Sequence, residues 1–301
     1  MPDPLFILCP GRSFSSVVAA VIGQHPQCYG LPELYIFVGE TLGETMDLAA
    51  QIGFSSLAGL ERTLAELHDG VQTVETVRDA QRWIAANRHL TSRQVMEHIQ
   101  DHVGDRILVE KSVGLAGGAG TGEGMYRALR AYPKASFLQL LRHPRSRGIS
   151  HQTAMEELRF RRFMTKMMGV TLDYEARWTD KHIQIHDLGR KLPPGQFMRI
   201  NGEIFLRDLR LYLPQVCEWL GIRSDAEAIA AMLRPEESPY SCVGPDNAKG
   251  GANRGFLADP KLDLDRLAKM KDATLDAPMD WDPERDFSET TKVLASYYGY
   301  R

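Results

Sequence analysis

The sequence predicts an α/β fold: a doubly wound parallel sheet flanked by helices, with a helical cap. Two observations carry that expectation. Short, continuous apolar runs recur along the chain with helical patterns between them, as parallel strands buried on both faces require. The first of these runs ends in a tight turn that leads straight into a helix, the usual opening of a doubly wound sheet.

The first strand is expected over Leu5 to Cys9 (LFILC), which stops at Pro10-Gly11, and a helix of small residues begins near Ser15. A second strand is expected at Arg106–Glu110 after a helix through Thr91–His102, and a third at Ser136–Leu141 after a helix over Gly124–Ala131. A fourth is expected at Gln196–Ile200, after the long helical stretch Tyr174–Lys191. Between the first two strands, roughly Leu42 to His102 reads as a helical cap. From Pro235 to about residue 262 the chain is dense in Gly, Pro, Asn and Ser, which reads as a long ordered loop. Helices resume at about Asp263, and the last spans Asp286–Gly299. All of this is expected to form one domain over residues 1–301.

A chain of 301 residues buries about three quarters of its unfolded surface, so its core needs no disulfide. Cys9, Cys28, Cys217 and Cys242 show no CxxC pairing, which predicts reduced thiols in a cytoplasmic protein and no metal site. The opening residues lack a basic n-region, and no apolar stretch has the length of a membrane span. A formal net charge of −3 gives no global reason for a nucleic acid or an anionic membrane as partner. Any bound anion must therefore be held by local Arg, Lys and backbone N–H groups.

Cys9-Pro-Gly-Arg-Ser-Phe-Ser-Ser16 lies where a doubly wound sheet holds anions, after the first strand and at a helix N-terminus. Arg12, Ser13, Ser15 and Ser16 supply donors, and the residue between them is Phe14. The Walker pattern GxxxxGK[ST] is absent, which weakens a kinase or ATPase reading. By itself the loop also fits a capped helix start with a solvated arginine.

The run PLFILCPGRSFSSVVAAVIGQHPQCYGLPEL resembles the opening of bacterial and Golgi-type sulfotransferases, with motifs like those of tyrosylprotein sulfotransferases. That family places a Pro-Arg-Ser-Gly-Thr-Thr loop after its first strand, then a helix, a His-Pro dipeptide and a Glu. Here Arg12, Ser13, Ser15 and Ser16 match the loop, His25-Pro26 the dipeptide and Glu33 the acid. Gly11 stands for the family's Pro and Phe14 for its Gly, so the loop is expected to be strained or differently shaped. Arg142-His-Pro-Arg-Ser-Arg-Gly-Ile-Ser150 is similar to the element whose first Arg and last Ser hold the cofactor's 3′-phosphate. Arg145 and Arg147 read as the solvent side of that turn. Gly202 to Ile222 resembles the family's YEDLL…FLGL stretch, with Gly202 and Ile204 as mismatches, and reads as a fold marker. Gly250–Phe256 sits where the family folds a basic loop over the nucleotide, with Arg254 as its cation.

The resemblance implies a P-loop-like fold and transfer of a sulfuryl group from 3′-phosphoadenylyl sulfate (PAPS), leaving 3′-phosphoadenosine 5′-phosphate (PAP). The acceptor is a hydroxyl on a small molecule or on a carrier or peptide: steroid, phenol, sugar, polyketide alcohol and tyrosine all remain open. Glu33 is the implied general base, with His25 second. Lys111, in a segment similar to the family's KTP/KSP/KDP element, would neutralise developing charge together with Arg12, and no metal is needed. A surface Lys111 paired with Glu110 is the plainer alternative. His151 and Trp178 read as packing residues, and an apolar stripe over Glu156–Met168 (Leu158, Phe160, Phe163, Met167) reads as core or acceptor pocket. The competing classes are a P-loop-type kinase, which would depend on Mg²⁺, and a non-catalytic PAP-binding module disabled at Phe14.

Overall fold

The computed structural model describes residues 2–51, 57–112, 122–157, 173–270 and 273–300. Strand β1 (Leu5–Leu8) is buried throughout, and its side chains alternate between two cores. Phe6 and Leu8 join one apolar cluster with the cap, while Leu5 and Ile7 join a second on the other face. This two-sided burial is why the strand reads as a continuous apolar run. With β2 (Cys28–Gly30), β3 (Ile107–Glu110), β4 (Ser136–Leu141) and β5 (Phe197–Asn201) it forms a sheet in the order β2-β3-β1-β4-β5. Every pairing is parallel. The expected α/β architecture is therefore present, with one more strand than the sequence suggested.

That extra strand, β2, has three residues and ends in Gly30, too short to register as an apolar run. It lies close under helix α1 (Ser15–Gly23): a Cβ on Gly23 would sit 2.3 Å from the Gly30 Cα. Only glycine at both positions permits that approach.

The cap consists of α2 (Leu42–Gln51), α3 (Ala58–Asp69), α4 (Val74–Ala86) and α5 (Ser92–Val103). Capping boxes at Thr73/Thr76 and Thr91/Gln94 start α4 and α5 by satisfying first-turn N–H groups. After β3 come α6 (Glu123–Ala131), then β4, α7 (Pro144–Glu157) and α8 (Tyr174–Lys191). After β5 come α9 (Gly202–Arg207), α10 (Leu209–Leu220) and α11 (Ala226–Met232). The apolar stripe expected at Leu158, Phe160, Phe163 and Met167 lies outside the described residues.

The loop from Pro235 is ordered, as expected, around a buried cation. Arg62 of α3, 0% exposed, donates to Gln72 Oε1 at 2.6 Å and to the Gly250 carbonyl at 3.1 Å. The loop leads into the short helices α12 (Arg254–Ala258) and α13 (Leu264–Ala268), and α14 (Glu289–Tyr297) closes the chain against Trp178. Among the described residues no helix is long and apolar enough to cross a membrane.

Because β1 lies between β3 and β4, the loops leaving all three strands emerge at one sheet edge, where the chain switches direction. Open parallel sheets bind ligands at such a point.

Candidate functional site

The turn after β1 takes its shape from two left-handed residues, Arg12 at φ 71° and Phe14 at φ 65°. Phe14 is also the N-cap of α1, and its side chain offers no acceptor to the first turn. The leading N–H groups of α1 thus remain available to an anion. The strain expected at Phe14 is real, about 1–2 kcal/mol for a non-glycine residue, and the surroundings show what offsets it. The Arg142 guanidinium lies over the Phe14 ring at 4.1 Å. A Cβ on Gly202 would come within 2.8 Å of that ring. Two of the departures from the family pattern, Phe14 and Gly202, are therefore in contact: the small residue leaves room for the ring on which Arg142 rests.

Arg142 also donates to the Arg12 carbonyl at 2.8 Å, and Arg12 Nε reaches Ser150 Oγ at 3.3 Å. Arg12, Arg142 and Ser150 are thus brought together, although Ser150 lies on α7. Burial pulls the Arg142 guanidinium down to about 10, which leaves it charged at neutral pH. Arg147 and Arg145 do not face solvent as the sequence suggested. Arg147 is 2% exposed and donates to the Gly11 carbonyl at 3.0 Å and the Tyr174 carbonyl at 2.7 Å, which fixes the turn from below. Arg145 binds the Thr274 and Pro278 carbonyls at 2.7 and 2.9 Å and so anchors the C-terminal segment.

On the other side of β1, Lys111 follows β3 and is not a surface lysine paired with Glu110. Its side chain is 3% exposed and its Nζ lies 2.9 Å from Glu33 Oε1, with Ser16 Oγ and the Gly251 carbonyl each at 3.3 Å. Glu33 Oε2 accepts from the Tyr35 hydroxyl at 3.1 Å. Burial and then Glu33 hold that phenol well above its ordinary pKa, so it stays a donor. Glu110 turns inward instead: it accepts the Leu34 and Ser112 N–H groups at 3.3 and 3.0 Å, and also the Ser112 hydroxyl. In this way it clamps the Glu33–Tyr35 segment to the end of β3. Burial pushes the Glu110 carboxyl up to about 7.

The Gly250–Phe256 segment packs against these groups. Asn253 N–H bonds Ser16 Oγ at 3.0 Å, and the Gly251 carbonyl accepts Glu33 N–H at 2.7 Å. Arg254 begins α12 and is exposed at the cleft rim. The cleft encloses about 500 Å³ and is lined by Arg12, Ser13, Phe14, Ser15, Ser16, Glu33, Arg142, Ser150 and Arg254, among others. That volume suits a nucleotide-sized ligand. Two of its buried donors, Ser13 Oγ and Arg142 Nε, have no hydrogen-bond partner among the described residues.

His25 is remote in function: its Nε2 bonds the Arg223 carbonyl at 2.8 Å and its Nδ1 accepts Gln27 N–H at 3.0 Å. Nδ1 serves the turn after α1, and Nε2 ties that turn to the segment after α10. Trp178 is buried and donates to the Arg142 carbonyl at 2.8 Å, and His151 packs on Tyr174 with ring centroids 4.7 Å apart. Sequence reasoning missed Tyr35, Arg147 and the clamp role of Glu110. Tyr35 lies in no motif, Arg147 lies in the Arg142–Ser150 element but read as solvated, and a lone acid ending an apolar strand was a signal for Glu110.

The family model described as the sulfotransferase family matches residues 4–226. No curated protein matches the chain by sequence. Among solved structures, the chain is similar to the sulfotransferase domain from the Synechococcus PCC 7002 olefin synthase, with 23% identity and a TM-score of 0.72, over 100% of this chain and 97% of that one. It is also similar to the sulfotransferase domain from the curacin biosynthetic pathway, with 22% identity and a TM-score of 0.76, over 100% and 99%. These structures share the fold, and the sequence match covers the turn after β1, Glu33, Lys111 and the Arg142–Ser150 element alike. On that match the chain belongs to the sulfotransferase family.

Proposed function

We propose that the cleft takes PAPS and that the protein transfers its sulfuryl group to a hydroxyl acceptor, with Glu33 as general base and without a metal ion at the reacting centre. The carrying observation is the pair of buried, unpartnered donors, Ser13 Oγ and Arg142 Nε, on a cleft that also holds Arg12 and the open first turn of α1. Buried polar groups are seldom left without partners, so such a pair favours an anionic occupant. The groups present fit the co-substrate at both ends. Arg142 and Ser150 would hold the 3′-phosphate, while the Arg12–Ser16 turn would hold the 5′-phosphosulfate.

In this reading Lys111 and Glu33 are stored as a pair and separate for the reaction. Lys111 turns towards the bridging oxygen of the leaving phosphate, with Arg12 beside it, where charge accumulates as the S–O bond breaks. Glu33 Oε1 is then left to accept the proton of the attacking hydroxyl, while Tyr35 keeps Oε2 in place. A new O–S bond forms on the acceptor and PAP departs. Sulfuryl transfer makes little covalent demand on the protein, so alignment and charge stabilisation suffice. The acceptor, small or borne on a carrier or peptide, enters beside Glu33. The proposal is tested by incubation with ³⁵S-labelled PAPS and a panel of alcohols, phenols and carrier-bound hydroxyls. Label should move to at least one class without Mg²⁺. Tight PAP binding with no transfer to any class would leave a non-catalytic binding module.

A further inference from the structure

The cap carries a cluster that sulfuryl transfer does not use. His98 and His102 stand four residues apart on one face of α5, and His68 reaches them from the last turn of α3. One ring nitrogen from each lies within 4.8 Å of the other two, and His68 Nε2 is 2.9 Å from His98 Nε2. His102 Nδ1 bonds the His98 carbonyl at 2.9 Å, which fixes its tautomer and leaves Nε2 as a lone-pair donor. His98 is stacked on Trp83 with centroids 4.6 Å apart, so its ring is held in place. An outer contact that orients each ring is what metal-binding histidines require.

We propose that His68, His98 and His102 form a site for a divalent transition-metal ion of the Zn²⁺ class that cross-links α3 to α5, away from the sulfuryl-transfer cleft. Three imidazoles suit zinc, and Mg²⁺ or Ca²⁺ would want oxygen ligands instead. Tetrahedral zinc with bonds of about 2.0–2.1 Å brings its nitrogens to roughly 3.3 Å. His68 and His102 are exposed, so the small inward shift this needs is a side-chain adjustment at the surface. The fourth position is left to water or to the exposed carboxylate of Asp69 or Asp101. An ion held here would depart from the expectation, drawn from the cysteines, that the chain has no metal site. It also bears on the cleft: α3 begins against Glu33, where a Cβ on Gly59 would meet the Glu33 carbonyl at 2.0 Å. His68 lies nine residues further along, about 14 Å away on the helix axis.

The test is calorimetric titration of chelator-treated protein with ZnCl₂ in excess Mg²⁺, in a Cys242→Ser background that removes the exposed thiol. One zinc per chain is expected, with Tm raised by about 4 °C at a hundred times the Kd. His68→Ala and His102→Ala should each weaken binding at least about tenfold and remove the Tm rise. Both side chains are exposed, so the variants keep the fold. Absence of stoichiometric binding would overturn the proposal. So would undiminished affinity in His68→Ala, which would reveal only a two-histidine surface pair on α5.

Discussion

Glu33→Gln separates chemistry from structure at the Lys111 pair. Removing one charge from a buried pair costs about 3–5 kcal/mol when nothing replaces it. Here Lys111 is 3% and Glu33 17% exposed, and glutamine keeps an oxygen for Lys111 and an NH₂ that can donate to the Tyr35 oxygen. Lys111 also keeps Ser16 Oγ and the Gly251 carbonyl. The loss should therefore be nearer 1–3 kcal/mol, or about 2–5 °C in Tm for a chain of this length. Loss of the general base is a separate and larger effect, about 10²–10⁴ in rate. Single-turnover transfer from PAPS to an aliphatic alcohol and to a nitrophenol measures it. The loss should be full for the alcohol and smaller for the nitrophenol, which is partly ionised and needs less help. A folded, PAP-binding Glu33→Gln enzyme that sulfates the aliphatic alcohol at near the parent rate would refute the assignment.

Three other perturbations probe neighbouring parts of the site. Phe14→Gly relieves about 1–2 kcal/mol of left-handed strain and removes a cation–π platform of similar worth. Stability should change little, while PAP affinity falls about tenfold as Arg142 loses its support. Gly202→Ala should be less harmful in that background than alone, with a coupling of at least about 0.5 kcal/mol; strictly additive effects would sink the proposed contact. Glu110, held at about 7 against an ordinary 4.5, keeps in the folded state a proton that the unfolded chain releases in that interval. Its stabilising contribution is full below pH 4.5 and is lost as pH rises through 7, by about 3 kcal/mol. Chemical denaturation across that window should show the decline, and Glu110→Gln should flatten it. An unchanged slope would contradict the clamp. Arg12→Ala should lower kcat as well as PAPS affinity, since Arg12 is proposed to lie where charge develops; an effect confined to KM would remove it from the transition state.

Much of this site was legible because its residues lie at strand ends, where motif spacing and geometry coincide. The turn after β1, Glu33 and the pair Arg142 and Ser150 line one cleft as expected, since parallel strands deliver their following loops to one edge. The partners of these groups were less visible. Lys111 reads as a functional candidate in the sequence, but its pairing with Glu33 joins residues 78 positions apart, and no local pattern encodes it. Phe14 read as a defect until the space above Gly202 was seen, because compensation between residues 14 and 202 is a property of packing. Arg147 looked solvated from its basic neighbours, whereas the Gly11 and Tyr174 carbonyls draw it inside. The histidine triad escaped for a related reason: His68 is 30 residues from His98, and only the packing of α3 beside α5 brings them together.

Calorimetric titration with PAP and with ADP tests the central claim most directly, because it asks whether the cleft has a second phosphate site. Each ligand carries two phosphates, but PAP has its second on the 3′ oxygen, where Arg142 and Ser150 are proposed to hold it, whereas ADP has both on the 5′ oxygen. PAP should bind at least about tenfold more tightly than ADP, as a charge-assisted contact to a buried guanidinium warrants. Arg142→Ala should erase that difference and leave ADP affinity nearly unchanged. Equal affinity for PAP and ADP, or an Arg142→Ala variant that weakens both alike, would contradict PAPS as the co-substrate.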